Sequence, residues 1–233
     1  MKTKKRFIFK TLPMFVVMYF FLGFSGFSCF PNEDVTWYCT LTEFEAGAAS
    51  RNPPKDTASA KSGGKIFVEL QTPTEEDKLE ENCFARIATV LSDNAGKIFS
   101  IDMRTCEFKD PAVTAVPEGA FENCKGQLSH LDLPPQITCI GKRAFAGFTG
   151  LRHIYIGAQI KEVGDEAFKD WNGSIFIPAT VTTMGKNVFE GWTSEQTIYV
   201  PFAENDKPDG WDTDWNKNSD GTPIMAKIEY RQP

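Results

Sequence analysis

A short motif recurs along the second half of the chain at nearly constant spacing. Each copy runs from an apolar residue through Gly or Pro to Ala-Phe or Val-Phe, and the copies are Val116–Phe121, Ile140–Phe145, Val163–Phe168 and Met184–Phe189. Their phenylalanines are 24, 23 and 21 residues apart. A unit this short cannot bury its own apolar side chains, so successive units must stack on one another. The period therefore predicts a repeat fold.

Each unit also carries a short alternating segment that is typical of a β-strand. The segments are Leu131–Leu133, Ile154–Ile156, Ile175–Ile177 and Ile198–Val200, and each is followed by Pro or Gly. Alternation implies that the outer residues of a triplet point into the core and the middle residue points to solvent. Strand pairing should stop at the Pro or Gly. We therefore predict one short strand per unit and a column of solvent-facing middle residues.

The segments on either side of the repeats have different patterns. Residues 65–97 contain a strand-like stretch and then an amphipathic helix pattern, which starts with an acidic turn at Thr74–Asp77. Terminal units of stacked repeats are atypical because they cover an open end of the core. We therefore expect an N-terminal strand–helix cap over residues 65–97, repeats over 98–202 and a C-terminal cap over 203–233.

The repeats resemble the BspA-like leucine-rich repeats of bacterial surface proteins. The resemblance rests on Leu151–Ile156, Glu162–Phe168 and Phe176–Gly185, where strand, Ile-Pro, Ile-Gly and Ala-Phe elements occur in one order. It implies an α/β fold, namely a right-handed leucine-rich-repeat solenoid with short parallel strands. It also implies display on the outer surface of a bacterium and, in some members, adhesion to host matrix proteins or to other bacteria.

The N-terminus has the pattern of a secretory signal. Five basic and no acidic residues lie in the first ten positions, and the next eighteen carry no charge. Gly26 and Ser28 precede Cys29, so three fates are open: cleavage after Ser28, lipid attachment at Cys29, or retention of Thr11–Phe30 as a membrane anchor. We expect residues 1–28 to be a signal peptide and Cys29 to carry lipid. The protein would then be exported and anchored at the cell surface or outer membrane, with a secreted or periplasmic form as the alternative.

Residues 29–64 show little apolar periodicity. The stretch Ala46–Gly64 is built mainly from Ala, Ser, Gly, Pro and Lys. This composition is typical of a flexible linker. We therefore predict a tether between the lipid-anchored Cys29 and the repeats.

Charge and motif content narrow the possible functions. The chain carries a net charge of −6, and loss of the five basic residues of the signal would leave about −11. Nucleic-acid binding needs a basic surface, so we expect no nucleic-acid partner. The sequence holds no Gly-x-Ser-x-Gly, His-Glu-x-x-His or phosphate-binding glycine loop. We therefore expect neither an enzyme nor a bound cofactor or metal.

The solvent-facing column of the predicted strands holds the candidate binding residues. In successive units its members are Asp102, Asp132, Tyr155, Phe176 and Tyr199. Neighbouring exposed rings offer contact area at low entropic cost, although cross-strand aromatic pairs can also simply stabilise a sheet. We take Tyr155, Phe176 and Tyr199, with Asp132 and His153 beside them, as candidate ligand-binding residues.

Two cysteines have environments that the repeat alignment predicts. Cys124 is equivalent to bulky apolar residues in the next units, which predicts a buried, unreactive thiol. Cys139 is equivalent to Glu162 and Thr183, which predicts an exposed thiol. The sequence leaves open the disulfide pairing of Cys39, Cys83, Cys106, Cys124 and Cys139.

Export, anchor and repeats together favour a non-enzymatic cell-surface protein. Its partner is expected to be a host-matrix or cell-surface protein, bound through the repeat face. Two other classes of function stay open. One is carbohydrate binding, in which the same aromatic rings stack on sugars, and the other is a purely structural role in the cell envelope.

Overall fold

The computed structural model of the chain describes residues 36–50, 65–94, 96–124, 127–148, 150, 154 and 156–230. The elements within these residues are β1 (Thr36–Cys39), α1 (Leu41–Ser50), β2 (Lys65–Leu70), α2 (Cys83–Asp93), β3 (Ile98–Asp102), β4 (Ala115–Val116), β5 (Gln127–Asp132), β6 (Cys139–Ile140), β7 (Glu162–Val163), β8 (Ile175–Phe176), β9 (Thr183–Met184), β10 (Thr197–Val200) and β11 (Lys227–Tyr230). The predicted signal peptide, with Cys29, lies outside the described residues.

The strands form three sheets in which every neighbouring pair is parallel. The first sheet has the order β1-β2-β3-β5. The second has the order β4-β6-β7-β9, and we call it the turn-side sheet because its strands precede the turns of the repeats. The third sheet has the order β8-β10-β11. Strands that are adjacent in a sheet come from successive units of the sequence. The short parallel strands stacked in sheets confirm a leucine-rich-repeat fold of α/β character.

The predicted alternation within each triplet is confirmed at its outer positions. These residues are all buried: Leu131, Leu133, Ile154, Ile156, Ile175, Ile177, Ile198 and Val200. The middle residues differ, because Phe176 has 69% of its surface exposed whereas Asp132 has only 8%. The inward residues of the strands are therefore uniformly buried, whereas the outward residues differ widely in exposure.

Each unit turns through two residues with left-handed backbone. The residue two before each motif phenylalanine has a positive φ, at Gly119, Arg143, Glu166 and Asn187, and so has the residue two after it, at Asn123, Gly147, Asp170 and Gly191. This conformation costs an ordinary L-residue about 1 kcal/mol or more. Burial offsets this cost, because the turn places the motif phenylalanines in one buried stack.

The stacked phenylalanines form the turn-side core. Phe121 and Phe145 lie 5.2 Å apart, Phe145 and Phe168 5.5 Å, and Phe168 and Phe189 5.9 Å, with ring planes within 8° of parallel. Between them, neighbouring turns approach closely: a Cβ added to Gly164 would lie 2.7 Å from the backbone N of Lys142. The glycine of the motif is therefore required by backbone contact between units.

The predicted tether is wrong for residues 36–50, which form β1 and α1. β1 pairs with β2 in parallel, and Leu41 and Phe44 of α1 are 4% and 1% exposed. The ring of Phe44 meets that of Phe99 at 5.6 Å. Burial of these two side chains stabilises the fold of a segment in which the sequence shows little apolar periodicity.

The predicted helix start at Thr74–Asp77 is also wrong, because α2 begins at Cys83. The reason is tertiary: the backbone N of Leu79 donates to the Glu107 carbonyl oxygen at 2.8 Å, and the backbone N of Lys109 donates to the Leu79 carbonyl oxygen at 2.8 Å. This bridge holds the chain extended just before the helix.

Among the described residues, no helix combines the length and the apolar character that crossing a membrane requires.

The chain after the last strand of the repeats folds onto the turn-side core. Trp211 and Trp215 are buried, and their rings lie 5.0 Å apart. The indole N–H of Trp211 donates to the Val181 carbonyl oxygen at 3.0 Å, and the backbone N of Val188 donates to the Trp215 carbonyl oxygen at 3.1 Å. The ring of Trp215 also meets that of Phe189, the last phenylalanine of the stack, at 5.9 Å.

Candidate binding face

The outward middle residues of the strands lie in register as the repeat alignment predicts. In the first sheet Glu69 pairs with Asp102 and Asp102 with Asp132. In the third sheet Phe176 pairs with Tyr199 and Tyr199 with Glu229. We call these outward positions of the two sheets the strand face. Its first part is acidic and its second part is aromatic.

The aromatic part consists of one stacked pair. The rings of Phe176 and Tyr199 lie 4.2 Å apart with an interplanar angle of 8°. Phe176 is 69% exposed and Tyr199 is partly exposed. Because each ring covers one face of the other, the pair offers ring edges and the two outer ring faces to a ligand. The stack also fixes both side chains before any ligand arrives.

Two carboxylates of the acidic part, Asp102 and Asp132, have basic partners. Arg104, whose side chain is 65% exposed, bonds to Asp102 through Nε at 3.0 Å and through Nη2 at 2.5 Å. Its Nε also lies 3.7 Å from Asp132 Oδ2. On the other side of this carboxylate, His130 Nε2 lies 3.0 Å from Asp132 Oδ1. Asp132 is therefore held between a guanidinium and an imidazole.

These contacts shift the pKa values of two groups. Burial favours the neutral form of Asp102, but the hydrogen bonds from Arg104 outweigh it and lower the pKa of that carboxyl group. The hydrogen bond to Asp132 raises the pKa of His130, against a smaller opposing effect of burial. Asp102 therefore stays ionised at neutral pH, and His130 adds positive charge to the first part of the strand face as the pH falls.

The structure brings together only part of the predicted site. Phe176 and Tyr199 form one surface, whereas Asp132 is buried and already paired. Tyr155 and His153 lie outside the described residues. Sequence reasoning overlooked Arg104 because it lies outside the alternating triplets. It also overlooked Glu69 and Glu229, although Val68-Glu69-Leu70 and Ile228-Glu229-Tyr230 repeat the same alternation.

The predicted burial of Cys124 is confirmed, since this residue is 6% exposed. Cys139 is partly exposed, less than predicted, and its partial burial raises the pKa of its thiol. Burial also raises the pKa values of Cys83 and Cys106 to about 12. Thiols with such pKa values are poor nucleophiles at neutral pH.

An open groove lies on another side of the described chain, between the start of α2 and the first turn. Its volume is about 550 Å³, and its lining includes the carboxylates of Glu80, Glu81 and Glu118. Glu80 is paired with Lys109 at 2.9 Å. Within the described ranges, no cluster of His, Cys, Asp and Glu side chains has the geometry to hold a metal ion. The groove offers carboxylates without a nucleophile beside them.

Comparison with known proteins finds a family similarity that covers the repeats. The family model described as "BspA type Leucine rich repeat region (6 copies)" matches residues 97–205. The chain is similar to the solved structure of a leucine-rich repeat protein from Bacteroides ovatus, with 28% identity and a TM-score of 0.35, over 44% of this chain and 24% of that chain. It is also similar to a leucine-rich repeat protein from Eubacterium ventriosum, with 14% identity and a TM-score of 0.43, over 73% of this chain and 40% of that chain. The chain thus spans less than half the length of these two solved chains. No curated protein matches the chain.

Proposed function

We propose that this chain, whose residues 97–205 are a BspA-type leucine-rich repeat region, is a non-enzymatic cell-surface protein that binds a protein partner through its strand face. Leucine-rich repeats generally serve protein binding, because stacked units present one extended surface. The partner we propose is a host-matrix or cell-surface protein, so that binding amounts to adhesion. One observation carries the site: Phe176 exposes 69% of its surface, whereas its chain neighbours Ile175 and Ile177 are 0% and 4% exposed.

Phe176 offers apolar surface that a bound partner would remove from water. Phe176 has Tyr199 as its ring partner, at 4.2 Å. The stack limits the rotamers of both side chains, so a partner that covers them loses little entropy on binding. Aromatic rings and arginines are the side chains that most often dominate the energy of protein interfaces. Arg104, whose guanidinium is hydrogen-bonded to Asp102, would be an additional contact residue for the partner.

Carbohydrate binding by the same rings is the runner-up. A sugar that stacks on an aromatic side chain needs an open ring face, and the pair closes one face of each ring. The two outer ring faces stay open to a sugar, whereas a protein partner can also contact the ring edges, so we favour a protein partner. Negative results with both ligand classes would instead favour a purely structural envelope role.

We further propose that the three sheets are parts of one right-handed solenoid. Residues 65–97 and 203–233 would cap its ends, and β1 and α1 would extend the N-terminal cap. Trp215, which contacts Phe189, and the buried Trp211 beside it support the C-terminal cap. Residues 1–28 would be removed as a signal peptide and Cys29 would carry lipid. Loss of palmitate label from the membrane fraction on Cys29→Ala is the expected result, and unchanged label would contradict the anchor.

The binding site is tested with a matched pair of variants. Phe176→Ala removes an exposed ring from the strand face, whereas Met225→Ala removes a side chain of similar exposure, 70%, from elsewhere. We measure binding of each purified variant to surfaces coated with collagen, laminin or fibronectin, and to a glycan array. Binding to a coated protein that falls at least about tenfold with Phe176→Ala and stays unchanged with Met225→Ala is the expected result.

Three other outcomes contradict parts of this proposal. Equal binding by Phe176→Ala and the unmodified chain would remove the site assignment. Binding to glycans alone, lost with Phe176→Ala, would replace the protein partner by a carbohydrate. If the unmodified chain binds neither class of ligand, the adhesion proposal fails.

A further inference from the structure

The last strand, β11, has a strand partner on one side only within the described part of the chain. It pairs with β10 and ends the third sheet. The backbone N of Lys227 donates to the Gln196 carbonyl oxygen at 3.0 Å, so Lys227 directs its backbone groups toward β10. Successive residues of a strand direct these groups to opposite sides, so those of Ile228 and Tyr230 face outward. Outward N–H and C=O groups form a template for another strand.

The inward side chains of β11 are also less covered than those of the strand before it. Ile198 and Val200 of β10 are 0% and 4% exposed. Ile228 and Tyr230 occupy the same inward positions in β11 and are only partly buried. β10 lies between β8 and β11, whereas β11 has a described strand on one side only. A strand added beside β11 would therefore bury apolar surface as well as satisfy backbone groups.

The charges on β11 indicate which strand can pair with its free edge. Lys227 and Glu229 lie on either side of Ile228, and both point to the solvent side, where their side chains meet at 2.5 Å. If two β11 strands run antiparallel about a two-fold axis at Ile228, each Lys227 lies opposite the partner's Glu229. Opposite charges at directly facing positions stabilise a strand pair, whereas like charges destabilise it.

The same register satisfies the backbone. With the two Ile228 residues facing each other, their outward N–H and C=O groups form a hydrogen-bonded pair. Lys227 and Glu229 then fall at the closely spaced positions without hydrogen bonds, where side chains interact most strongly. On the inward side, Ile228 meets its own copy, and Tyr230 lies opposite Ala226, which is also partly buried. Hydrogen bonds, charges and apolar contacts thus agree on one register.

We propose that two copies of the chain pair through β11, antiparallel and centred on Ile228, so that their third sheets join into one continuous sheet. Such a contact uses the same surface on both copies, and it closes at the dimer instead of propagating. The edge is short, so the interface is smaller than that of a permanent dimer, and the complex dissociates on dilution. The proposal does not depend on the ligand of the strand face.

The test is the mass of the purified chain in solution over about a hundredfold range of concentration. Sedimentation equilibrium should show the mass rising from one chain to two and no further. Lys227→Glu and Glu229→Lys each place like charges opposite one another, and each should raise the dimer dissociation constant about tenfold. The double variant Lys227→Glu/Glu229→Lys restores opposite charges in this register and should restore dimerisation.

Both single variants remove the same ion pair within one copy, and the double variant restores it. An equimolar mixture of the two single variants separates the interface from this local effect, because it places opposite charges across the interface while neither copy regains its own ion pair, and it should also dimerise. Lys161→Glu, at an exposed lysine far from β11 in sequence, makes the same change in net charge and should leave the dimer unchanged. As a second readout, the outward amide of Ile228 should exchange with solvent more slowly as concentration rises. A single-chain mass at every concentration, growth beyond two copies, or a dimer insensitive to Lys227→Glu would each overturn the proposal.

Discussion

The turn side and the strand face of the repeats differ in how much their residues vary from one unit to the next. On the turn side, equivalent positions hold the same residue, as in the stack from Phe121 to Phe189. On the strand face, equivalent positions change from Asp102 and Asp132 to Phe176 and Tyr199. Packing dictates the first set, because each ring must fit between its neighbours. Packing leaves the second set open, so the strand face is where this scaffold can acquire a specific partner.

The largest expected effect comes from comparing one phenylalanine on each side. Phe145→Ala empties a fully buried site between Phe121 and Phe168, and should lower the free energy of unfolding by about 3–5 kcal/mol. Phe176→Ala removes an exposed ring with one stacking partner, and should lower it by about 1 kcal/mol or less. Urea unfolding of both variants measures the difference. Similar losses would mean that the strand face is also a packing surface, and the contrast between the two sides would fail.

A smaller effect is expected where turns touch through backbone. In Gly164→Ala the new Cβ would lie 2.7 Å from the Lys142 nitrogen and 2.9 Å from the Gly141 carbonyl carbon. Because backbone atoms must move, the free energy of unfolding should fall by about 1–3 kcal/mol.

Gly96→Ala is the matched control for this variant, since a Cβ at Gly96 would have nothing within 4 Å. Its free energy of unfolding should be unchanged or slightly raised, because alanine restricts the unfolded chain. If Gly164→Ala were equally harmless in urea unfolding, close approach of the turns would not explain the motif glycine.

The contrast between the two sides also explains what could be predicted from the sequence. The turn side repeats, so Phe145 and Gly164 could be assigned from their spacing alone. β1 and α1 escaped prediction because their order comes from contacts with distant residues, such as Phe44 with Phe99. The same holds for the strand face. Alternation places Asp132 in the outward column, but only the fold brings Arg104 and His130 to its carboxylate and withdraws it from solvent.

The smallest effect sharpens the comparison through pH. On the turn side, Arg143 donates at 2.6 Å to Glu122 and also contacts Glu166, and both contacts raise its pKa further, so this ion pair does not titrate near neutrality. On the strand face, the hydrogen bond to Asp132 raises the pKa of His130 above its usual value. The strand face should therefore contain a group that responds to mild acid, and the turn-side ion pair should not.

The sign of the pH effect follows from proton linkage. A raised pKa in the folded state means that the folded chain holds the His130 proton more tightly than the unfolded chain. The stabilisation is fully present below the pKa of the unfolded state and is lost as the pH rises through the pKa of the folded state. The difference in unfolding free energy between the unmodified chain and His130→Asn should thus be larger at about pH 5 than at about pH 8.

The size of this difference should stay below about 1 kcal/mol, because the His130 side chain is 41% exposed and solvent screens the pair. Asp132→Asn should abolish the pH dependence, since the histidine then loses the carboxylate that holds its proton. Arg143→Met, in contrast, should change stability by the same amount at both pH values. An equal effect of His130→Asn on the unfolding free energy at the two pH values would show that the imidazole is not coupled to Asp132. The acidic part of the strand face would then contribute no more pH dependence than the turn side.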